Sequence, residues 1–183
     1  MKKYKLIIAD PPWQYFNKMK ARNQKTGELF DVSSRSRYNT LSIKEICDLP
    51  IIKQIVDKNC VLFLWSTAPM LADAFTVMKA WGFKYKTVIV WRKVFSLGLG
   101  FWFRGQCEFC LLGIKGKVKA FRCQKPNFFQ THMVKTPLKH SQKPEDIFQL
   151  IEPIMEKYNL HPAIELFARR KRKGWDCWGD GVK

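Results

Sequence analysis

A carboxylate, two prolines and an indole follow one another directly after a short apolar segment near the start of the chain. Asp10, Pro11, Pro12 and Trp13 come after residues 5–9, whose apolar run predicts a buried strand. Because proline fixes the backbone and has no N–H group, the turn is rigid and its carbonyls are expected to stay free as acceptors. This set suits a planar group with an NH₂, whose ring stacks on Trp13 while Asp10 and a proline carbonyl accept the amine hydrogens. The alternative is a proline-rich turn that closes the strand, with Trp13 as a lid over the core.

The turn must be positioned by the strands and helices around it. Short apolar segments, typical of strands, alternate along the chain with segments of helical periodicity, and this order predicts a three-layer α/β domain around a largely parallel sheet. The further strands are predicted at residues 61–65, 84–91, 107–114, 163–167 and 175–178, and the helices at 42–58 (with a break at Pro50), 69–81 and 144–158. Two basic segments, residues 14–38 and 115–143, are expected to be substrate-binding loops, and residues 123–141 in particular are predicted to be loop. Since ligands of such sheets bind at the carboxyl ends of the strands, the turn after residue 9 is expected at the ligand site.

The composition points to a polyanionic partner. The 183 residues contain 33 Lys and Arg against 15 Asp and Glu, which is a formal net charge of +18. Such self-repulsion disfavours a compact chain, so nucleic acid is the first expected partner and an anionic membrane surface the second. The length suits a single domain, residues 1–183. No apolar run approaches the roughly 18 residues that span a bilayer, and without an export signal the protein is expected in the cytoplasm.

The six cysteines are expected to be reduced thiols, because no export signal is found. Cys107 and Cys110 have the CxxC spacing of zinc ligands, but the second pair of a four-ligand site is missing. The favoured interpretation is two cysteines in an apolar strand, so no metal site is expected.

The chain also resembles a known family. Asp-Pro-Pro-Trp after a short apolar strand resembles the catalytic motif of N6-adenine methyltransferases. The downstream sequence is similar to one branch of them, which contains the catalytic subunit of the eukaryotic mRNA adenosine methyltransferase and its bacterial and phage DNA-modifying relatives. The matching pieces run in family order over nearly the whole chain: Tyr38–Ser42, Phe63–Thr67, Trp81–Phe83, Trp91, Glu108 within Cys107–Gly113, His140–Pro144, Glu165–Arg170 and Gly174–Gly179.

The resemblance implies a Rossmann-like AdoMet-dependent methyltransferase fold that is circularly permuted, with the catalytic motif N-terminal and the cofactor strand C-terminal. It implies transfer of a methyl group from S-adenosylmethionine (AdoMet) to the exocyclic N6 of adenine in DNA, without a metal. The implied catalytic residues are Asp10, Pro11, Pro12 and Trp13. Hydrogen bonds to Asp10 and a proline carbonyl would localise the lone pair of the nitrogen, and Asp10 would stabilise its developing positive charge.

The resemblance places the cofactor between the catalytic turn and the C-terminal part of the chain. The implied cofactor-binding residues are Asp10, Lys143, Glu165, Phe167, Arg169, Arg170 and Asp180. Lys143 is assigned to the methionine carboxylate, with a solvent-exposed lysine at a helix start as the alternative. Residues 169–173 either belong to the cofactor turn or form a basic segment on phosphates. The eukaryotic members have His and Asn where this chain has Lys171 and Arg172, and relatives commonly have Asn where it has Asp180.

The substrate is expected to meet two groups of residues. Trp13 and Tyr38 are expected to stack on the target base, and the family position of Glu108 implies a contact with adenine. A salt bridge from Glu108 to Arg104 or Arg92 is the alternative. The basic side chains of the first loop are expected to approach the phosphates: Lys20, Arg22, Arg35 and Arg37.

Other functions remain open at this point. The nearest alternative keeps the chemistry and replaces DNA by RNA. Another is a non-catalytic nucleic-acid-binding subunit, because the eukaryotic family pairs an active subunit with a degenerate one. The intact Asp10–Trp13 motif and Lys143 favour activity, and a homodimer or a partner subunit is possible. Membrane binding is not expected, because no basic amphipathic helix stands out.

Overall fold

The computed structural model describes residues 1–15, 20–22, 26, 29–31, 39–94, 102–131 and 143–182. Its strands are β1 (Tyr4–Ala9), β2 (Lys20–Arg22), β3 (Leu29–Asp31), β4 (Val56–Thr67), β5 (Lys84–Lys93), β6 (Cys107–Lys115), β7 (Phe128–Thr131), β8 (Ala163–Leu166) and β9 (Asp176–Trp178). Seven of them form one sheet in the order β7-β5-β6-β4-β1-β8-β9, and β2 and β3 form a separate antiparallel pair.

The central strands are apolar on both faces, as is typical of parallel strands that are covered by helices on both sides. In β1, the side chains of Leu6, Ile7, Ile8 and Ala9 are all buried. This strand pairs in parallel with β4 on one side and with β8 on the other. Within the seven-stranded sheet, β6 runs antiparallel to both of its neighbours and the other pairings are parallel. The prediction of a largely parallel sheet is confirmed.

Helices cover both faces of this sheet. They are α1 (Ile43–Cys47), α2 (Pro50–Ile55), α3 (Leu71–Ala80) and α4 (Asp146–Lys157). Alternate residues of β1 point to opposite faces. Ile7 and Ala9 belong to the core that contains α1, α2 and α3, whereas Leu6 and Ile8 belong to the core that contains α4. The predicted three-layer α/β/α architecture is therefore confirmed, while the circular permutation stays a prediction.

Several boundaries differ from the predictions. The helix expected up to Lys58 ends at Ile55, because the chain from Val56 onward pairs with β1. Residues 123–141, expected to be loop, contain β7, which pairs with the end of β5. The first basic loop likewise contains β2 and β3, and α4 begins at Asp146 rather than at residue 144. Strand β7 depends on backbone hydrogen bonds to β5, which is distant in the sequence, and β2 and β3 have three residues each, so none of them shows a local period.

The carboxyl ends of β1, β4, β5 and β8 lie on one edge of the sheet, which we call the carboxyl edge. The antiparallel β6 begins at this edge. The connection from β1 to β4 passes over one face through α1 and α2, and α4 leads into β8 over the other face. Ligands of open α/β sheets bind in the crevice at such a reversal, so the site is expected between β1 and β8. Within the described residues, no helix has the length and apolar character required to cross a membrane.

Candidate active site

Backbone hydrogen bonds hold the turn after β1. The Asp10 amide donates to the last carbonyl of β8 at 3.5 Å. The Pro11 carbonyl accepts from the Trp13 amide at 2.8 Å, and the Pro12 carbonyl accepts from the Leu41 amide at 2.9 Å. The expectation that these carbonyls stay free is therefore wrong. Each accepts one N–H and keeps one lone pair for a further donor.

Trp13 is a residue of the core. Its side chain is 4% exposed, and its indole Nε1 donates to the Trp65 carbonyl on β4 at 3.1 Å. A ring this deeply buried has no open face, so the expected stacking of a base on Trp13 is not possible in this structure. The alternative from the sequence, a lid over the core, is the one that the packing supports.

Charged side chains of alternating sign form a row of ion pairs along the carboxyl edge. The Lys143 ammonium lies 2.7 Å from Asp10 Oδ2 and 3.3 Å from Glu108 Oε2. Glu108 also pairs with Lys93, and Lys143 Nζ lies 5.4 Å from the centroid of the Trp65 ring. The Lys143 side chain is 15% exposed, so the alternative of a lysine in solvent is wrong.

The pKa values of Asp10, Lys143 and Glu108 are shifted by burial and by the neighbouring charges. Burial raises the pKa of Asp10 above its ordinary value, and the Lys143 ammonium offsets part of this effect. Burial disfavours the charge of Lys143, but the carboxylates of Asp10 and Glu108 outweigh it and raise the pKa of Lys143. Glu108 is buried as well, yet the ammonium groups of Lys143 and Lys93 hold its pKa below the ordinary value. Lys143 is therefore a fixed cation between two carboxyl groups at neutral pH.

The turn after β8 forms the other wall of the site. Phe167 has a φ of 62°, and the Ala168 amide donates to the Trp178 carbonyl at 2.9 Å. A Cβ on Gly179 would lie 2.5 Å from the Ala168 nitrogen, so only glycine lets the C-terminal segment approach the turn this closely. A cavity of about 510 Å³ lies between this segment and the catalytic turn, and its lining includes Pro12, Leu41, Phe167, Trp178 and Asp180.

Carboxylates hold two of the basic residues that follow β8. Arg170 and Arg172 both pair with Glu145, and Arg172 Nη1 lies 2.8 Å from Glu145 Oε2. The guanidinium carbon of Arg172 lies 3.4 Å from the centroid of the Phe148 ring on α4. Arg172 Nε is 3.9 Å from Glu165 Oε2, and neither atom has a hydrogen-bond partner among the described residues. These contacts tie the turn after β8 to the start of α4, which follows Lys143 closely in the chain.

Comparison with known proteins identifies the family. A family model described as MT-A70 matches residues 4–181, which is nearly the whole chain. The chain belongs to the MT-A70 family. This confirms the resemblance that the motifs indicate, and it makes the chain a methyltransferase of that family.

The relatives of this MT-A70 chain differ in how much of their length it spans. Type II methyltransferase M.MunI of Mycoplasma sp is 35% identical over 189 residues, which cover 97% of this chain and 77% of M.MunI. The N(6)-adenosine-methyltransferase MT-A70-like of Arabidopsis thaliana is 26% identical over 184 residues, covering 96% of this chain and 23% of the relative. The human N(6)-adenosine-methyltransferase catalytic subunit METTL3 is 27% identical over 177 residues, which cover 91% of this chain and 26% of METTL3. The chain thus spans most of M.MunI but only about a quarter of the other two.

The fold of this MT-A70 chain brings many of the predicted site residues together. Asp10, Glu108 and Lys143 share one ion network, and the charge of Arg169 is near enough to act on the pKa of Asp10. Phe167 and Asp180 line the cavity next to this network. Their roles in binding stay predictions.

Other predicted site residues of the MT-A70 chain are either on β2 or outside the described residues. Tyr38, Arg35 and Arg37 are outside the described residues, and Lys20 and Arg22 are the first and last residues of β2. Their expected contacts with substrate stay predictions.

Three residues that hold the site together were not predicted as site residues: Lys93, Trp65 and Glu145. Glu108 does form salt bridges, but they are with Lys93 and Lys143, where Arg104 or Arg92 was the expected partner. Lys93 ends β5 at the carboxyl edge, and that position was a usable signal. Trp65 ends the strand predicted at residues 61–65, so it carried the same signal. Glu145 carries no such signal, because its partners are set by how α4 packs.

Cys107 and Cys110 both lie on β6. Residues three apart on a strand point to opposite faces, so these thiols do not converge on one ion. Burial raises the pKa of Cys110 and disfavours its thiolate form. The CxxC spacing is therefore not a zinc site in this fold.

Proposed function

We propose that the chain transfers a methyl group from AdoMet to the exocyclic N6 of an adenine in DNA. The observation that carries the proposal is the partly buried ion pair of Asp10 and Lys143 at the end of β1, beside the Pro11–Pro12 turn. A carboxylate and a rigid pair of carbonyls at the carboxyl edge suit both hydrogens of an aromatic amine. Membership of the MT-A70 family supports methyl transfer as the reaction.

The residues around the cavity fit AdoMet. Lys143 and Asp10 offer one charge of each sign, which suits the carboxylate and ammonium of an amino acid. Asp180 is an acceptor for a ribose hydroxyl, and the Phe167 ring offers an apolar wall. Glu165 Oε2 is buried without a hydrogen-bond partner among the described residues, so it is a further acceptor at the end of β8. AdoMet, when bound, supplies an electrophilic methyl group.

Asp10 and the proline carbonyls act on the nucleophile. The amine of adenine is a poor nucleophile, because its lone pair is delocalised into the ring. Hydrogen bonds to Asp10 and to the remaining lone pair of a proline carbonyl favour a pyramidal nitrogen, and the carboxylate stabilises the positive charge that develops there. Because burial raises the pKa of Asp10, its carboxylate is also a better acceptor for the proton that leaves nitrogen after transfer.

Lys143 and Glu108 fix the position of Asp10. The Lys143 ammonium is held from two sides, by Asp10 at 2.7 Å and by Glu108 at 3.3 Å, and Glu108 is itself held by Lys93. A carboxylate held in this way does not have to be ordered when the substrate arrives, which lowers the entropic cost of reaching a reactive geometry. Glu108 is 9% exposed and belongs to the same ion network, which supports a role for it close to the target base.

DNA is proposed rather than RNA on two grounds. The chain spans 77% of a type II methyltransferase but about a quarter of two N(6)-adenosine-methyltransferases. Its motifs also resemble the branch that includes bacterial and phage DNA-modifying members. RNA is the second candidate because of those adenosine methyltransferase relatives. The net charge of +18 supports either polymer and predicts a steep loss of binding with salt.

Methyl transfer from labelled AdoMet to duplex DNA, single-stranded DNA and RNA in parallel tests the proposal. Nucleoside digestion and mass spectrometry identify the product. Asp10→Asn removes the carboxylate charge and keeps the shape, and Asp48→Asn is its match, because Asp48 also pairs with a lysine at 2.7 Å but on the surface. We expect N6-methyladenine in DNA with the Asp48 variant and none with the Asp10 variant. Absence of product in all three polymers despite tight binding would refute the proposal and favour a non-catalytic subunit.

A further inference from the structure

Two adjacent aromatic side chains stand in solvent between β5 and β6. Trp102 is 93% exposed and Phe103 is 90% exposed, and the next most exposed aromatic side chain among the described residues is Phe128 at 45%. An aromatic ring that is solvated on both faces loses the stabilisation that burial gives, and two in a row form a patch that commonly marks an interaction site.

The neighbourhood of this pair is basic. Residues 84–143 contain thirteen Lys and Arg and one acid, Glu108. Of the basic residues, Arg104 follows the pair directly in the chain, and Arg92 and Lys93 end β5 at the carboxyl edge, whereas Lys84 and Lys115 lie at the opposite end of their strands. Glu108 is buried and already paired with Lys93 and Lys143, so it does not offset the surface charge. A second copy of a chain with a charge of +18 would be repelled from this patch. A partner with negative charge and flat π faces, which is a nucleic acid, is attracted to it.

The pair lies near the candidate active site. The Lys93 amide donates to the Gln106 carbonyl at 2.7 Å, which fixes the chain between Phe103 and β6 at the carboxyl edge. Strand β6 is two strands away from β1, which is about 10 Å at the usual strand spacing. Along a nucleic-acid strand that distance is about three nucleotide steps. Trp102 and Phe103 precede the first residue of β6 by five and four residues, which adds up to about 15 Å at the usual rise per residue. The bases within their reach are therefore several nucleotides from an adenine at Asp10.

We propose that Trp102 and Phe103 form a stacking platform for unpaired bases of the substrate, several nucleotides from the target adenine. This inference rests on the proposed function in that the substrate is a nucleic acid. Stacking requires open base faces, and an intact duplex does not offer them. The platform therefore favours substrates that are single-stranded or locally opened around the target.

The test is binding of the full chain to single-stranded DNA, measured by fluorescence anisotropy at fixed salt. The substitutions are Trp102→Ala with Phe103→Ala, and the matched control is Phe128→Ala, another exposed aromatic residue in the same basic segment. We expect the double variant to weaken binding about tenfold, because each stacked base contributes substantially, and the control to leave it unchanged. The slope of log Kd against log salt should stay constant, since no charge is removed.

Abasic nucleotides isolate the stacking contribution. An oligonucleotide with abasic positions several nucleotides to either side of the adenine keeps every phosphate, so the double variant and the unchanged protein should bind it equally. Equal losses on normal and abasic DNA would overturn the proposal. So would a dimer in sedimentation velocity that the double variant dissociates while DNA binding stays the same. Base-dependent binding without any methyl transfer would support the stacking platform and refute the proposed function. The two proposals therefore fail by different results.

Discussion

Replacing Lys143 by methionine tests the electrostatic design of the site most directly. Methionine keeps most of the length of the side chain and removes the charge that lies 2.7 Å from Asp10. Glu108 keeps Lys93 as a partner, so Asp10 is the carboxylate that loses its closest cation. We expect the variant to unfold at lower urea concentration at neutral pH and to lose methyl transfer.

The magnitude follows from burial. Removing one partner of a buried ion pair costs about 3–5 kcal/mol. The Asp10 side chain is 25% exposed and can take up a proton, so the lower end of this range applies, about 3 kcal/mol at pH 8. The measurement is the free energy of unfolding from urea titrations at several pH values between 4 and 8.

The change of the stability deficit with pH distinguishes a lost charge from lost packing. Burial already raises the pKa of Asp10, and Lys143 is the largest opposing influence, so its removal raises that pKa further. A carboxyl group whose pKa is higher in the folded state binds its proton more tightly there. The folded state therefore loses stability as pH rises from the unfolded pKa of about 3.9 to the folded pKa. The deficit of the variant should be small near pH 4 and should grow towards neutral pH.

Lys44→Met is the matched control, because Lys44 pairs with Asp48 at the same 2.7 Å distance but on an exposed helix surface. We expect it to leave the free energy of unfolding unchanged at every pH. A deficit of Lys143→Met that is the same at pH 4 and pH 8 would refute the reasoning, since it would reflect packing rather than charge.

Three further predictions follow from the geometry. Trp13→Phe removes the N–H that donates to the Trp65 carbonyl, so urea titration should show a loss of about 1–2 kcal/mol, and an unchanged midpoint would contradict the assignment of Trp13 to the core. Gly179→Ala places a Cβ 2.5 Å from the Ala168 nitrogen, so calorimetry should show weaker AdoMet binding, and full affinity would show that the cavity lies elsewhere. Glu108→Gln removes one of the two carboxylates that hold Lys143, so kcat should fall while the salt dependence of DNA binding stays the same.

The prediction of the fold succeeded where signals are local. The apolar run of β1 and the start of a helix at residue 42 were both predicted. At that start the Glu45 carboxylate accepts from the Ser42 amide and the Ser42 hydroxyl accepts from the Glu45 amide. Strand β7 and the pair β2 and β3 were missed, because a three- or four-residue strand has too few residues to show a period.

The prediction of the site likewise succeeded for local motifs and failed for what depends on tertiary packing. Asp10 and Lys143 are recognisable from motif and position, but the exposure of a ring is not a property of the motif. Trp13 has the same neighbours in the sequence whether it stacks on a base or packs into the core. Its 4% exposure results from β4, which lies some fifty residues away in the chain and supplies the carbonyl for its indole.

The sequence by itself determined the family, the basic character, the alternation of strands and helices, and the residues available for chemistry, since these depend on residue type and local order. Only the tertiary structure decided the partners of those residues. The side chain of Lys143 reaches Asp10 across 133 positions of the chain, and it does so because α4 and β1 pack in adjacent layers. Any carboxylate can pair with any ammonium, so the sequence does not specify which side chains form an ion pair. The fold specifies it by bringing Asp10 and Lys143 together, shielded from most of the solvent, at the carboxyl edge.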